Sequence, residues 1–499
     1  MSAFPQKFTS TVSHWQASNR GPNSLYLHGS KDPLPKEEVD FLIIGAGITG
    51  ASLAYQLTRR GGAGEGKSVV LVEAKDIASG ATGRNGGHFS PAVDNAFITL
   101  ITPLSEGGAG VSEKEAVQIL LNEKENYNIA TEIIKKERLD VDLWQGEGVE
   151  VLNEERLAVR EHSYKAWMKA RKELGIEGDG GVVFIRDSAK AKEITRCHTA
   201  VAAVLKPAGS VHPHKLSTEL VRLALESPHS KFSFFSWTPV RKFEARSGQD
   251  EEGWDVDCWE KGVIRAKQVV LCSNAHTGQL FDHGSDIDNH ITPVRGHCSL
   301  ITPTINYSGP NSLDYTYGFG GPYMVTTPTE GMVLGVGWLK AQTLTKGGKN
   351  DFVAKVDDSV ILPEVETFLS NYCKDEFTNW GKEAHGEGLT RIWTGIMGYS
   401  RDVLPLVGQI PGKKGLWTAV AFHGHGMSRI ISCTQSLAQQ IKDQGTWDPR
   451  LPRSFEITQE RLDRAKAAPK MSDLNWREAA VQSDGAEEGA TPVKSELSA

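Results

Sequence analysis

The sequence predicts an α/β protein organised around a Rossmann-like βαβ unit, and three observations predict it. Val39–Ile44 is an apolar run that breaks directly into Gly45-Ala46-Gly47-Ile48-Thr49-Gly50, a Gly-x-Gly-x-x-Gly sequence followed by Ala51–Leu57, which reads as a helix start. A second apolar run, Ser68–Val72, ends in an acid, Glu73, 23 positions beyond Gly50. The chain has 499 residues, enough for two domains or one large interleaved pair.

Each glycine has its own task. Gly45 makes the turn, Gly47 lets the backbone approach a pyrophosphate, and Gly50 lets helix and strand pack closely. A diphosphate would rest on the helix N-terminus, where unpaired N–H groups and the helix dipole favour negative charge. Alone, this pattern also fits a glycine-rich turn in any parallel sheet. Glu73 lifts it, because an acid about 20 residues on is the expected partner of a ribose hydroxyl and disfavours a 2′-phosphate. With it, Ala74 would line the nucleotide.

The next stretch, Ala78 to Phe89, reads Ala-Ser-Gly-Ala-Thr-Gly-Arg-Asn-Gly-Gly-His-Phe, too small and polar to be core. It predicts backbone laid against a ligand, with Thr82, Asn85, Gly86, Gly87 and His88 beside it and the Arg84 guanidinium on a second phosphate or a ring edge. On these residues the chain resembles the FAD-dependent D-amino-acid oxidase superfamily, nearest its sarcosine oxidase, glycine oxidase and gamma-glutamylputrescine oxidoreductase-like branch. In that family a Gly-Arg-Asn-Gly-Gly type loop lies beside the flavin ring and ribityl chain. The resemblance implies FAD rather than NAD. It also implies a fold: a Rossmann-like FAD-binding domain of discontinuous segments (39–90, 206–290, 390–445), interleaved with an antiparallel-sheet α+β substrate domain (91–205, 291–389).

Composition narrows the partners. Hydrophobic residues make up 39% and charged residues 23%, as in ordinary globular proteins, and the net charge of −7 argues against nucleic acid. Six cysteines without a Cys-x-x-Cys read as reduced and intracellular, neither disulfide-framed nor zinc-binding. Residues 1–40 hold no continuous apolar stretch of a secretory leader, and the apolar run from Phe41 to Leu57 is broken by glycines and polar residues, so neither export nor a membrane span is expected. A cytoplasmic location is the expectation.

In chain order, residues 1–38 predict an arm over the cofactor domain, with Trp15 and Tyr26 as anchors. Ser112–Leu139 carries apolar residues at helical spacing, as does Glu154–Leu174, where Trp167 and Met168 are assigned to the core. His212 and His214 are two apart; without further ligands at a recognisable spacing they predict no metal, and capping a helix or lining the pocket is the plainer role. Phe232 to Leu271 predicts a five-stranded β-meander. In the family, the position of Val240 reaches the adenine through its backbone, and Ser273 and Asn274 pass close to the cofactor. The aromatics Tyr315, Tyr317, Phe319, Tyr323 and Trp338, set among glycines, fit the family's sheet over the flavin, and each is equally readable as core or as part of a cage for an organic amine.

The segment Thr390–Gly408 resembles the family's C-terminal flavin segment, with Gly395 near the cofactor and Val403 where a glycine is usual. Ala421-Phe422-His423-Gly424-His425-Gly426-Met427 follows a last strand and precedes a helix expected over 428–440. Gly424, His425, Gly426 and Met427 would place backbone donors against the flavin N1 and O2 edge. Residues 470–499, poor in large apolar side chains, are expected to be disordered.

The resemblance implies oxidation of a C–H beside nitrogen, with hydride passing to FAD and O2 taking the electrons to give H2O2; a quinone or protein acceptor is the alternative. No catalytic base is identifiable, and His423, Tyr323, Trp338 and Met397 are the candidates. A flavin-dependent oxidase or dehydrogenase acting on a secondary-metabolite intermediate and a flavin monooxygenase are the rival readings, the latter disfavoured because Pro405-Leu406-Val407-Gly408 stands where a Gly-Asp segment is needed. Some relatives attach FAD through a cysteine in the segment matching Thr390–Ser400; none stands here, so noncovalent binding is expected, with His88 the nearby nucleophile. The glycine oxidase branch holds a substrate carboxylate with an arginine where this chain aligns Met397. An amine is therefore expected over a simple α-amino acid, unless Arg84, Arg391 or Arg401 restores the clamp.

Overall fold

The computed structural model describes residues 10–246 and 252–471. The expected disordered tail falls outside the described residues from 472 onward. The strands, in chain order, are β1 Val39–Ile44, β2 Ser68–Val72, β3 Trp144–Leu152, β4 Val183–Ile185, β5 Ala202–Ser210, β6 Lys231–Phe235, β7 Lys242–Ala245, β8 Trp254–Asp257, β9 Val263–Leu271, β10 Ile291–Thr302, β11 Thr316–Gly318, β12 Pro322–Thr326, β13 Met332–Val336, β14 Gly388–Ser400, β15 Leu406–Gln409 and β16 Leu416–Val420.

They form two sheets. The first runs β15-β16-β9-β1-β2-β6, with β1 parallel to both β2 and β9 and β6 parallel to β2. β1 is buried at five of its six positions, as a central parallel strand covered on both faces must be. The helices Ile48–Thr58, Pro213–Glu226 and Ile430–Lys442 pack together over one face. The second sheet runs β14-β10-β13-β12-β11-β3-β5-β4 and is antiparallel except where β11 meets β3. The strands at two of the expected domain boundaries, β5 and β14, both lie in this second sheet.

Three expectations need correction. The meander is shorter than its five strands: β6 pairs with β2, leaving β7, β8 and β9 antiparallel, and the last two expected strands merge into β9. Parallel pairing of β6 is the consequence of the crossover helix Pro213–Glu226 before it. The final helix begins at Ile430, because Ser428 N–H bonds back to His425 in a separate 3-10 turn, Gly426–Ser428. Trp338 opens the short helix Trp338–Ala341 instead of continuing a strand.

Val403, which replaces a glycine of the resembled segment, has φ of +69°. A β-branched residue is strained there by about 1–2 kcal/mol. Its neighbour Asp402 is buried and held by both the Arg461 guanidinium and His290, so the turn cannot relax. Val403→Gly is expected to stabilise the protein by about 1 kcal/mol, after allowing for the packing the half-buried valine loses; an unchanged or lower denaturation midpoint would refute the strain.

Candidate functional site

At the end of β1 the chain turns at Gly45, φ +106°, where a Cβ would lie 2.8 Å from the Cys272 carbonyl oxygen of β9's continuation. A Cβ on Gly50 would collide with the Gly45 carbonyl oxygen, so helix and turn fit only without one. Gly47 is the N-cap of Ile48–Thr58 and supplies no side-chain cap. Ile48 N–H donates to Thr82 Oγ1 at 2.9 Å, and the rest of that first turn is left as an anion cradle. Glu73 stands across it, Oε2 accepting from Ala46 N–H at 2.8 Å and Oε1 from Lys75 N–H at 3.1 Å and Ser79 Oγ at 3.3 Å. Burial raises its pKa against these bonds. The carboxylate keeps lone pairs for a diol, and Val240 is buried in the same core cluster as Val70 and Val72 of β2.

The loop that follows differs from expectation at Arg84. Its five N–H donors all go to protein: Nε to Ser79 O at 2.7 Å, Nη1 to Thr11 Oγ1 at 3.0 Å and Thr394 O at 2.9 Å, Nη2 to Ser10 Oγ at 2.9 Å and Thr11 O at 2.6 Å. Asp358 lies 3.4 Å from the guanidinium. A guanidinium has five donors and no more, so Arg84 has none left for a phosphate or a ring edge; it locks the loop. Asn85 is likewise engaged within the loop, donating to Thr82 O and accepting from Gly87 N–H. Gly395 of β14 packs against the Arg84 side chain, where a Cβ would lie 2.9 Å from Arg84 Cβ.

A line of titratable side chains shares a double property. Glu73, His276, His88, Tyr323, Tyr399, His423 and His425 all keep accessible surface, yet desolvation dominates the shift of each. Side chains that keep accessible surface while the protein around them desolvates them line a concave part of the surface. Burial brings His88 and His276 down to about 4 and His423 and His425 to about 3, with the Lys206 ammonium adding to the effect on His88 and His425. It pushes Tyr399 up to about 12 and Tyr323 well above 10.

Contacts join these groups. Tyr323 lies edge-on to His88 with ring centres 5.5 Å apart, covers Gly86 and Gly335, and its hydroxyl is 3.4 Å from Cys298 Sγ. Tyr399 packs on His423 at 4.2 Å and on Trp338 at 6.2 Å. Asn274 Oδ1 accepts from Ala421 N–H at 3.0 Å, and His423 N–H donates to Gly398 O at 2.9 Å, so the 274 turn, β14 and the 421–427 segment form one wall. Gly424 meets the Tyr399 hydroxyl, where a Cβ would lie 3.0 Å away, and Gly426 and Met427 continue that segment towards the final helix. Met397, on β14 opposite Val294, covers Gly296.

The second sheet resolves the aromatics by face. Tyr317 and Phe319 stack at 5.5 Å and pack on Phe377, so they are core, while Tyr323 points to the opposite, recess-facing side. The three arginines that could have restored a carboxylate clamp are engaged elsewhere: Arg84 as above, Arg391 with Val12 O, Arg401 with the carbonyls of Lys466 and Ala468. His212 caps the helix Pro213–Glu226 through Nδ1 and bonds Ser18, and His214 bonds Asn19. Among the described residues no group of three or more His, Cys, Asp or Glu could hold a metal, and no helix is long and apolar enough to cross a membrane. All six cysteines are unpaired and buried. Sequence reasoning named Trp15 as an anchor of the arm but missed His276, Tyr399 and the arm residues Ser10 and Thr11; a tyrosine alternating with glycines in Gly395–Tyr399 was the available signal for the second of these.

A two-sheet α/β fold with a Gly-x-Gly-x-x-Gly turn at the end of its central parallel strand, closed by Glu73, fits a flavin-dependent oxidoreductase. The chain belongs to the FAD dependent oxidoreductase family, whose sequence profile matches residues 40–440, and its cofactor is FAD. It is 23% identical over 450 residues to mitochondrial dimethylglycine dehydrogenase of Rattus norvegicus, covering 84% of this chain and 46% of that protein. It is 25% identical over 242 residues to gamma-glutamylputrescine oxidoreductase of Escherichia coli, covering 48% and 50%. The chain thus spans about half the length of the curated relatives it matches. Its fold is that of glycine oxidase from Geobacillus kaustophilus, with TM-score 0.62 and 20% identity, covering 85% of this chain and 99% of that one.

The residues present fit FAD: a helix start among glycines whose N-cap, Gly47, supplies no side chain, and the desolvated Glu73 carboxylate beside that turn, bonded to Ala46 N–H. Glu73→Ala removes one charge-assisted acceptor and is expected to weaken FAD binding by roughly 1.5–3 kcal/mol, read as the dissociation constant in a flavin fluorescence titration. Unchanged affinity would remove Glu73 from the site.

The recess histidines also set a pH dependence. Each has a folded pKa below its unfolded value of about 6.5, so its neutral burial stabilises the fold fully above that value. The stabilisation is lost as pH falls from about 6.5 towards the folded values and then levels off. Denaturation midpoints are expected to be level at neutral pH and to drop steeply below about 6.5; a midpoint insensitive to acid would contradict the burial.

Proposed function

We propose that this chain oxidises the carbon beside nitrogen in an amine or amino-acid-like substrate, with O2 as the electron acceptor. In balance, R2CH–NHR′ and O2 give the imine and H2O2, and water then converts the imine to carbonyl and free amine. FAD, when bound, supplies hydride acceptance and reoxidation. The residues proposed to hold it are Gly45–Gly50, Glu73, Ala74, Thr82, Asn85–His88, Val240, Ser273, Asn274, Gly395 and Gly424–Met427, drawn from the discontinuous segments around the first sheet. The substrate would lie under the second sheet, between Tyr323, Tyr399, His423 and Met397. We place the enzyme in the reducing cytoplasm, in keeping with its six unpaired thiols.

What carries this reading is the desolvation of the imidazoles and phenols around His88, Tyr323, Tyr399 and His423. A wall that brings its own imidazoles down to about 3 or 4 penalises any charge placed against it, a substrate ammonium included. The bound amine is thereby pushed towards its free-base form, whose lone pair is needed for the α-hydrogen to leave as hydride. The chain need supply no strong base: Tyr323 and Tyr399, both protonated, and the neutral His423 orient the substrate through hydrogen bonds and ring faces. Met397 offers no positive charge to a carboxylate, which supports an amine, such as a secondary amine or polyamine derivative, over a simple α-amino acid.

Two measurements test this. Aerobic H2O2 release is expected with secondary and substituted amines and not with glycine, D-alanine or proline; dye reduction without H2O2 would make the enzyme a dehydrogenase instead. At saturating substrate, the pKa governing turnover is expected to lie at least about one unit below that of the free amine. A turnover profile that tracks the free amine's own pKa would sink the neutral-recess argument.

A further inference from the structure

The N-terminal arm does more than cover the surface. Its short helix His14–Ser18 is fixed by a capping box between Ser13 and Gln16, and Trp15 is only 3% exposed. The indole packs with Cys298, Val325, Val333 and Trp393 on the recess-facing side of the second sheet. Its Nε1 donates to the Asn85 carbonyl oxygen at 2.7 Å, and a ring carbon lies 2.8 Å from where a Cβ on Gly87 would be. Gly87 has φ of +79°, so only glycine both takes that conformation and admits the ring. Ser13 Oγ donates to Gly83 O, and Thr11 accepts from Arg84 and from Thr394 N–H.

We propose that Trp15 is a positioning residue for the cofactor loop: by holding the Asn85 carbonyl, it fixes the Asn85–Gly86 peptide and so decides how firmly FAD is bound. In a planar trans peptide, C=O and N–H point in opposite directions. Pinning the Asn85 oxygen on the arm therefore aims the Gly86 N–H away from the arm, as a donor to FAD. Gly86, on one side of this peptide, leaves it freer to flip when nothing holds it. The indole is the restraint, brought in from 70 positions earlier in the chain.

The test uses full-length holoprotein and needs no substrate, so it stands apart from the amine reading. Trp15→Phe keeps the ring and removes the N–H; its FAD dissociation constant is expected to rise about tenfold, the effect of one hydrogen bond, with a changed visible circular dichroism of the bound flavin. Trp15→Ala is expected to lose more. Leu369→Ala, which opens a hole in the core of the second domain far from the loop, serves as the stability control: it should lower Tm and leave FAD affinity and the flavin spectrum unchanged. Wild-type affinity and dichroism in Trp15→Phe would overturn the proposal. So would FAD loss that simply follows Tm across Trp15→Phe and Leu369→Ala, since that is what a merely structural tryptophan produces.

Discussion

The buried Arg84 guanidinium is the interaction on which the geometry between the two sheets depends. Its acceptors come from the arm, from Ser79 in its own loop and from Thr394 on β14, and the Asp358 carboxylate beside it also lies 3.7 Å from Lys75. A buried cation must be fully bonded or it destabilises the fold, and removing one partner of such a set leaves an uncompensated charge at roughly 3–5 kcal/mol. Every segment that reaches Arg84 is thereby held in one arrangement. The arm, the glycine loop and the second sheet cannot drift apart without breaking several charge-assisted bonds together.

That rigidity has an electrostatic consequence. A confined recess disfavours charge on everything lining it, as its own histidines and tyrosines show. The charges near it are neutralised in place: Arg160 bonds Asp94 and Glu150, and Lys206 lies 3.1 Å from Glu150. Glu150 is thus held down at about 2 despite its burial. The same low polarity that shifts these groups strengthens each hydrogen bond offered to a bound ring. Binding the cofactor and selecting a neutral substrate are two effects of one environment.

The second sheet divides its aromatic residues between two tasks by strand periodicity alone. Tyr317 faces Phe377, which stacks on Trp380, while Tyr323, across the β11–β12 pair, faces the glycine loop. On the recess side, glycines at 296, 335 and 395 leave the room that Met397, Tyr323 and the Arg84 side chain fill. Side chains are thus placed over the site by what the neighbouring strands omit, a division that a count of aromatics does not reveal.

What the sequence by itself determined is the first domain's nucleotide end. An apolar run, three spaced glycines and an acid at the end of the next strand are local patterns, and each has a backbone reason that holds wherever the chain goes: Gly45 needs its positive φ, and Gly50 must have no Cβ. The fold class followed, as did the helices of 113–136 and 154–173. Only the tertiary structure decided that Arg84 is a lock and not a ligand, that β6 lies parallel to β2, that Tyr323 and not Tyr317 faces the recess, and that Trp15 reaches the glycine loop. The reason is physical: whether a polar group still has a free donor, and whether a ring is core or wall, depends on partners as distant as the 383 positions between Thr11 and Thr394, and burial exists only once those segments have met.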